Sequence, residues 1–121
     1  RGLGDVYKRQ LEESRLGCSL VNHIYRHYRE DLSVAGVARS FGISVQQLNR
    51  TLLCQVEQNF EDFLAMVRVN RACQLLTTTR MTVLDIALEV GYHNAKTLNR
   101  SFLKYRLMTP SAYRAAAQPG A

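Results

Sequence analysis

Little in this sequence would interrupt a helix. Its 121 residues include two prolines and seven glycines, a composition that leans helical. No apolar run approaches the ~18 residues a membrane-spanning helix needs, so no membrane association is expected. The apolar stretch of a secretory leader is also missing from the front. Catalytic patterns are lacking: there is no G-x-S-x-G, no glycine-rich phosphate loop and no cysteine–histidine arrangement with a third partner. We therefore expect no enzyme, no cofactor and no resident metal. Cysteine is sparse. Cys18, Cys54 and Cys73 form an odd, widely spaced set without a C-x-x-C pair. That fits reduced thiols in a cytosolic protein, each a small packed residue within a helix. Acid is lacking at the end of the chain. After Glu89 come Lys96, Arg100, Lys104, Arg106 and Arg114, so five of the six net positive charges lie in the last 32 residues. A net charge of +6 rules out an acidic binder and points toward nucleic acid or another anionic surface.

The chain starts at Arg1 rather than Met. Its stretch Asp5–Gln10, DVYKRQ, resembles the translation of a transposon end used in sequencing-library adapters. Residues 1–10 are accordingly read as adapter-derived or disordered and set apart from the fold. The natural chain is expected to extend further upstream.

The remainder carries apolar residues at helical spacing. Val21, Ile24, Tyr25 and Tyr28 mark a first helix. Val34, Val37, Ala38 and Phe41 mark a second, with Ser33 as its N-cap. Val45, Leu48 and Leu52 mark a third behind Ser44. A long helix spans about residues 60–78, with Phe60, Phe63, Leu64, Val67, Ala72, Leu75 and Leu76. Val83, Ile86, Ala87 and Val90 mark a fifth behind Thr82, and a sixth covers about residues 95–106. Pro110 opens a short seventh with Thr109 as cap, where its missing N–H costs nothing. The fold class is all-α, with about seven helices.

An internal repeat organises these helices. Val34-x-x-Val37-Ala38-x-x-Phe41-Gly42 recurs as Val83-x-x-Ile86-Ala87-x-x-Val90-Gly91, offset by 49. Leu48-Asn49-Arg50-Thr51 recurs as Leu98-Asn99-Arg100-Ser101, offset by 50. Each copy is a short helix, a glycine turn and a second helix, the helix-turn-helix plan. Ala38 and Ala87 permit a close helix crossing, and Gly42 and Gly91 permit a left-handed turn. With Leu48 and Leu98 buried, Val45, Gln46, Asn49 and Arg50 face outward in one copy, and Lys96, Asn99 and Arg100 in the other. Gln, Asn and Arg can address base edges bidentately, and such helices enter the major groove by their N-terminal halves.

From about residue 20 to 114 the chain resembles the DNA-binding domain of the AraC family of bacterial transcription regulators. The resemblance rests on Leu32–Val34 through Gly42–Ser44 and Leu48–Arg50, on Arg68–Ala72 with Leu75-Leu76, and above all on Val83–Tyr92 continuing through Arg100-x-Phe102 to Thr109-Pro110-Ser111-x-Tyr113-Arg114. It implies two helix-turn-helix subdomains joined by a long, rigid central helix. The expected layout is 11–58 for the first, 59–80 for the connecting helix, 81–114 for the second and 115–121 for a flexible tail. A helix of ~18 residues spans roughly 27 Å, and the two recognition helices would meet successive major-groove segments ~34 Å apart. Carried over by position, Gln46, Asn49 and Arg50 with Lys96, Asn99 and Arg100 are the base-reading candidates, beside Val45. Arg39, Ser44, Thr97, Lys104 and Arg106 are the phosphate candidates, with Ser44 and Thr97 serving as phosphate contacts or caps. Double-stranded DNA is the expected partner, and activation through RNA polymerase the expected output. An effector ligand would bind a missing upstream domain.

The chain departs from the family's pattern in places. Glu57 and Leu107 stand where the family has glycine at the end of each recognition helix, so a left-handed cap is not expected at either. Residues 44–56 hold a single charge, Arg50, so the second subdomain should supply more of the electrostatic affinity. His23 and His27 have zinc-like i, i+4 spacing but no third ligand nearby in sequence, and read as a surface pair. His93 is a candidate phosphate contact. Arg68 and Arg71 are expected either to pair with Asp85, Glu61 or Asp62 or to contact DNA. The rival reading is a helical protein-interaction module whose basic face meets an acidic partner.

Overall fold

The computed structural model describes residues 2–117. Among them it is all helix: α1 (Gly2–His27), α2 (Val34–Phe41), α3 (Val45–Val56), α4 (Phe60–Thr78), α5 (Val83–Glu89), α6 (Ala95–Arg106) and α7 (Pro110–Ala117). The chain forms two compact units. One combines the chain up to His27 with Leu32–Phe63, and the other combines Tyr28–Asp31 with the chain from Leu64 onward. The division thus falls inside α4, whose first turn belongs to the first unit. Residues 118–121 of the expected tail lie outside the described residues, while α7 runs through Ala117.

In the first unit α3 packs on both α1 and α2. Its buried side is Leu48 and Leu52, four residues apart and without exposed surface. Leu20 and Ile24 repeat that spacing on α1, and Val37 and Ala38 supply the buried side of α2. Burying one leucine contributes about 2 kcal/mol, so these four-residue pairs set which face of each helix turns inward. Phe60 and Phe63 bring the start of α4 into the same unit, and Tyr25 meets Phe63 edge-on at 5.8 Å.

The second unit is built around Val69, Ala72, Leu76, Ile86, Val90, Leu98 and Phe102. Tyr113 of α7 packs edge-on against Phe102 at 5.4 Å. A hydrogen bond to Cys73 raises the Tyr113 phenol above its ordinary pKa. Arg114 donates to the carbonyls of Leu76 and Thr79 at 3.0 and 3.2 Å. A cation thereby satisfies the Leu76 carbonyl in the last turn of α4 and that of Thr79 just past the helix.

The expected caps are present. Ser33, Ser44, Thr82 and Thr109 accept from the backbone N–H groups of Gly36, Gln47, Asp85 and Ala112 at 3.0, 3.0, 3.1 and 3.1 Å. Both turn glycines have positive φ, 68° at Gly42 and 108° at Gly91. Gly91 answers a second demand as well. A Cβ there would stand 2.5 Å from the Tyr28 carbonyl oxygen and 3.0 Å from Arg68. Arg68 itself donates to the carbonyls of Tyr28 and Glu30 at 2.9 and 3.0 Å and lies 5.1 Å over the Tyr92 ring. These contacts fasten residues 28–31 to α4 and the glycine turn.

Several expectations need correction. Glu57 and Leu107 do take the left-handed conformation, both at φ 60°. Each N–H donates to a carbonyl four residues back, Leu53 and Leu103, at 3.0 Å. The bond satisfies a helix-end carbonyl, and both side chains point into solvent where the strained backbone meets no clash. Residues 2–10, set apart from the fold, are not disordered but helical and continue α1. Leu11, Glu12, Glu13 and Arg15 are strong helix formers, although residues 4–15 are exposed throughout. Cys18 and Cys54 are exposed, and only Cys73 is buried. Arg68 donates to backbone carbonyls, and Arg71 donates to Gln74 at 2.8 Å rather than to an acid.

Candidate nucleic-acid interface

On α3, Ser44 sits at the N-cap and Leu48 and Leu52 anchor the helix. This seating turns Val45, Gln46 and Arg50 outward, all exposed. On α6, Leu98 and Phe102 are the anchors, and Lys96, Arg100 and Lys104 are exposed. Those three cations are spaced i, i+4, i+8 and so share one helix face. The α3 face carries one cation and the α6 face three. Exposed leucines occupy matching places on the two helices, Leu53 at 51% and Leu103 at 48%. They are features that attention to charge alone passes over.

Asn49 is not the free outward residue expected. It is half-buried, and the backbone N–H of Phe60 donates to its Oδ1 at 2.9 Å. Asn99, at the matching place on α6, is also half-buried. Of the phosphate candidates, Ser44 is engaged in its cap. Thr97 donates its hydroxyl to Asn94 Oδ1 at 2.9 Å, and its backbone N–H reaches the same oxygen at 2.8 Å. Asn94 is thus the cap of α6, unremarked in the sequence although an Asn just ahead of the helix is a strong cap signal. Arg106 donates to Asn70 Oδ1. Lys104 has its ammonium 5.4 Å above the Tyr105 ring. Arg39 is exposed on α2.

One side of α3 faces α1 across an open cleft of about 320 Å³. It is walled by Gln10, Glu13 and Ser14 on one side and by Gln47, Arg50, Thr51, Cys54 and Gln55 on the other. An acid of α1 therefore shares a cleft with the cation of the first recognition helix. His23 and His27 lie half-buried with rings 4.5 Å apart, His23 meeting Phe41 edge-on at 5.4 Å. Ring packing accounts for their spacing. His93 is exposed, with its Nε2 3.9 Å from Asp31. Among the described residues no group of three or more His, Cys, Asp or Glu could hold a metal. No helix among them is long and apolar enough to cross a membrane.

Comparison with known proteins adds to this geometry. The family model for a helix-turn-helix domain matches residues 37–116. An uncharacterised helix-turn-helix-type transcriptional regulator of Staphylococcus aureus is 32% identical over 93 residues, covering 77% of this chain and 12% of that protein. The chain thus spans about an eighth of the length of the first curated relatives it matches. Regulatory protein SoxS of Escherichia coli is 32% identical over 95 residues, covering 78% of this chain and 89% of SoxS. Among solved structures, the fold is similar to the DNA-binding domain of AdpA, a global transcriptional factor, solved with a target DNA. The TM-score is 0.78 at 24% identity, covering 87% of this chain and 97% of that one.

Proposed function

This chain belongs to the AraC family of helix-turn-helix transcription regulators, and from that premise we propose that it binds double-stranded DNA sequence-specifically and regulates transcription. Each unit offers one recognition helix to the major groove. Gln46 and Arg50 read bases from α3, and Arg100 reads from α6. Lys96 and Lys104 add phosphate affinity beside Arg100, and Arg39 adds it on α2. The observation that carries this reading is the matched exposure of Arg50 and Arg100 on two helices seated by buried apolar residues at the same two positions, Leu48 and Leu52 on α3 and Leu98 and Phe102 on α6. An Arg held on a rigid helix can donate to a guanine edge bidentately or to a phosphate. SoxS is a regulatory protein and AdpA was solved on its target DNA, which supports the same assignment. Activation through contact with RNA polymerase belongs to the proposal on family grounds and is checked with a promoter fused to a reporter.

A gel-shift titration of the full chain on duplex DNA across a range of salt tests the proposal. Binding that weakens steeply as salt rises is expected, because each phosphate neutralised releases counterions. No binding at low salt would replace the DNA reading with that of a protein-interaction module.

A further inference from the structure

The repeat places two asparagines at one position of the plan, but their surroundings differ. The first N–H of a helix has no partner within the helix. In the first unit that donor is the N–H of Phe60, and Asn49 of the recognition helix accepts from it. Asn59 then caps the same helix by accepting from Asp62 N at 2.9 Å. The offset of 50 residues carries Asn49 to Asn99, Asn59 to Thr109, Phe60 to Pro110 and Asp62 to Ala112. Thr109 caps α7 just as Asn59 caps α4. Pro110, however, has no N–H to offer, so the donor that occupies Asn49 does not exist beside Asn99.

We infer that the two asparagines have divided roles: Asn49 is a positioning residue that ties α3 to the start of α4, and Asn99 is a specificity-determining residue that reads a base. Bidentate recognition of adenine uses an asparagine's oxygen as acceptor and its amide nitrogen as donor. The bond from Phe60 holds the Asn49 amide toward the start of α4, and turning it to a base would leave that helix-opening donor without its acceptor. Asn99 can present that pair of groups, since proline meets the helix-start requirement by removing the donor. This inference rests on the reading of α3 and α6 as DNA readers. The role of Asn49 also has a consequence that needs no DNA.

The experiment uses the full chain with Asn49→Ala, Asn49→Asp, Asn99→Ala and wild type, each measured by thermal melting and by selection from a random duplex pool. Asn49→Ala should lower the melting midpoint by about 4 °C, the scale of a lost cap in a domain of this size. Asn49→Asp, which still accepts from Phe60 N–H but lacks the amide donor, should restore the midpoint. Asn49→Ala should select the wild-type consensus. Asn99→Ala should leave the midpoint in place and relax discrimination about tenfold at one base-pair step. The division of roles is overturned if Asn49→Ala erases a base preference as Asn99→Ala does, or if the two alanine variants melt alike. Failure of the wild-type chain to bind any duplex would sink the role of Asn99 together with the DNA reading, while the melting comparison would still decide the role of Asn49.

Discussion

In the first unit the N–H that opens α4 is satisfied by Asn49; in the second, Pro110 opens α7 and removes the donor. The turns differ as well. Gly42 has nothing within 4 Å of where a Cβ would stand, whereas Gly91 is pressed against the Tyr28 carbonyl and Arg68. The recognition helices differ in charge, with Arg50 alone on α3 and Lys96, Arg100, Lys104 and Arg106 on α6. Two copies of one plan thus meet the same backbone requirements by different chemistry, and each solution changes which side chains remain available to a partner. A repeat establishes shared geometry. Which residues are free to act must be settled copy by copy.

The glycine turns give the largest expected contrast. Gly91→Ala combines a left-handed backbone with a backbone clash at 2.5 Å and should destabilise the chain by about 3 kcal/mol. Gly42→Ala meets open space and should cost about 1 kcal/mol, from backbone strain alone. Denaturant melts of both variants check this, and equal losses would mean that the Tyr28–Arg68 packing does not constrain Gly91. The recognition arginines come next. Arg100→Ala should weaken DNA binding by about 1–3 kcal/mol and lower the salt slope by about one. Arg50→Ala should do less on both counts, because α3 carries no further charge to act with it. Equal losses would erase the proposed difference in electrostatic share. The smallest effects concern the left-handed caps, where the units agree. Leu107 is 84% exposed, so Leu107→Gly gives up little packing and relieves backbone strain. A gain of about 0.5–1 kcal/mol is expected. Glu57→Gly should match it, and thermal melts of the two would show whether the shared φ of 60° carries the same strain in both.

What could be read from the sequence was local. The caps at Ser33, Ser44, Thr82 and Thr109 bridge three residues, and the helix spans follow a periodicity confined to one segment. Bonds made through tertiary packing were out of reach. Arg68 finds its carbonyls across 38 to 40 residues, and no periodicity foretells that. Asn49 to Phe60 spans eleven, although aligning the repeat places Pro110 opposite Phe60 and so carries a hint of the asymmetry. The left-handed caps at Glu57 and Leu107 escape residue propensity, which takes no account of the helix-end carbonyl that the turn satisfies. Cys18 and Cys54 were misplaced because a helical position does not say which face turns inward. Of the site, the exposed placement of Gln46, Arg50, Lys96 and Arg100 was legible from the leucines that seat their helices. The internal engagement of Asn49, Thr97 and Arg106 was not.

The central claim is that both recognition helices read sequence. Its most direct measurement is selection from a random duplex pool with the wild-type chain, Arg50→Ala and Arg100→Ala. Two separate patches of base preference within one bound site are expected, one lost with Arg50→Ala and the other with Arg100→Ala. A single patch, or one that survives both substitutions, would contradict that claim.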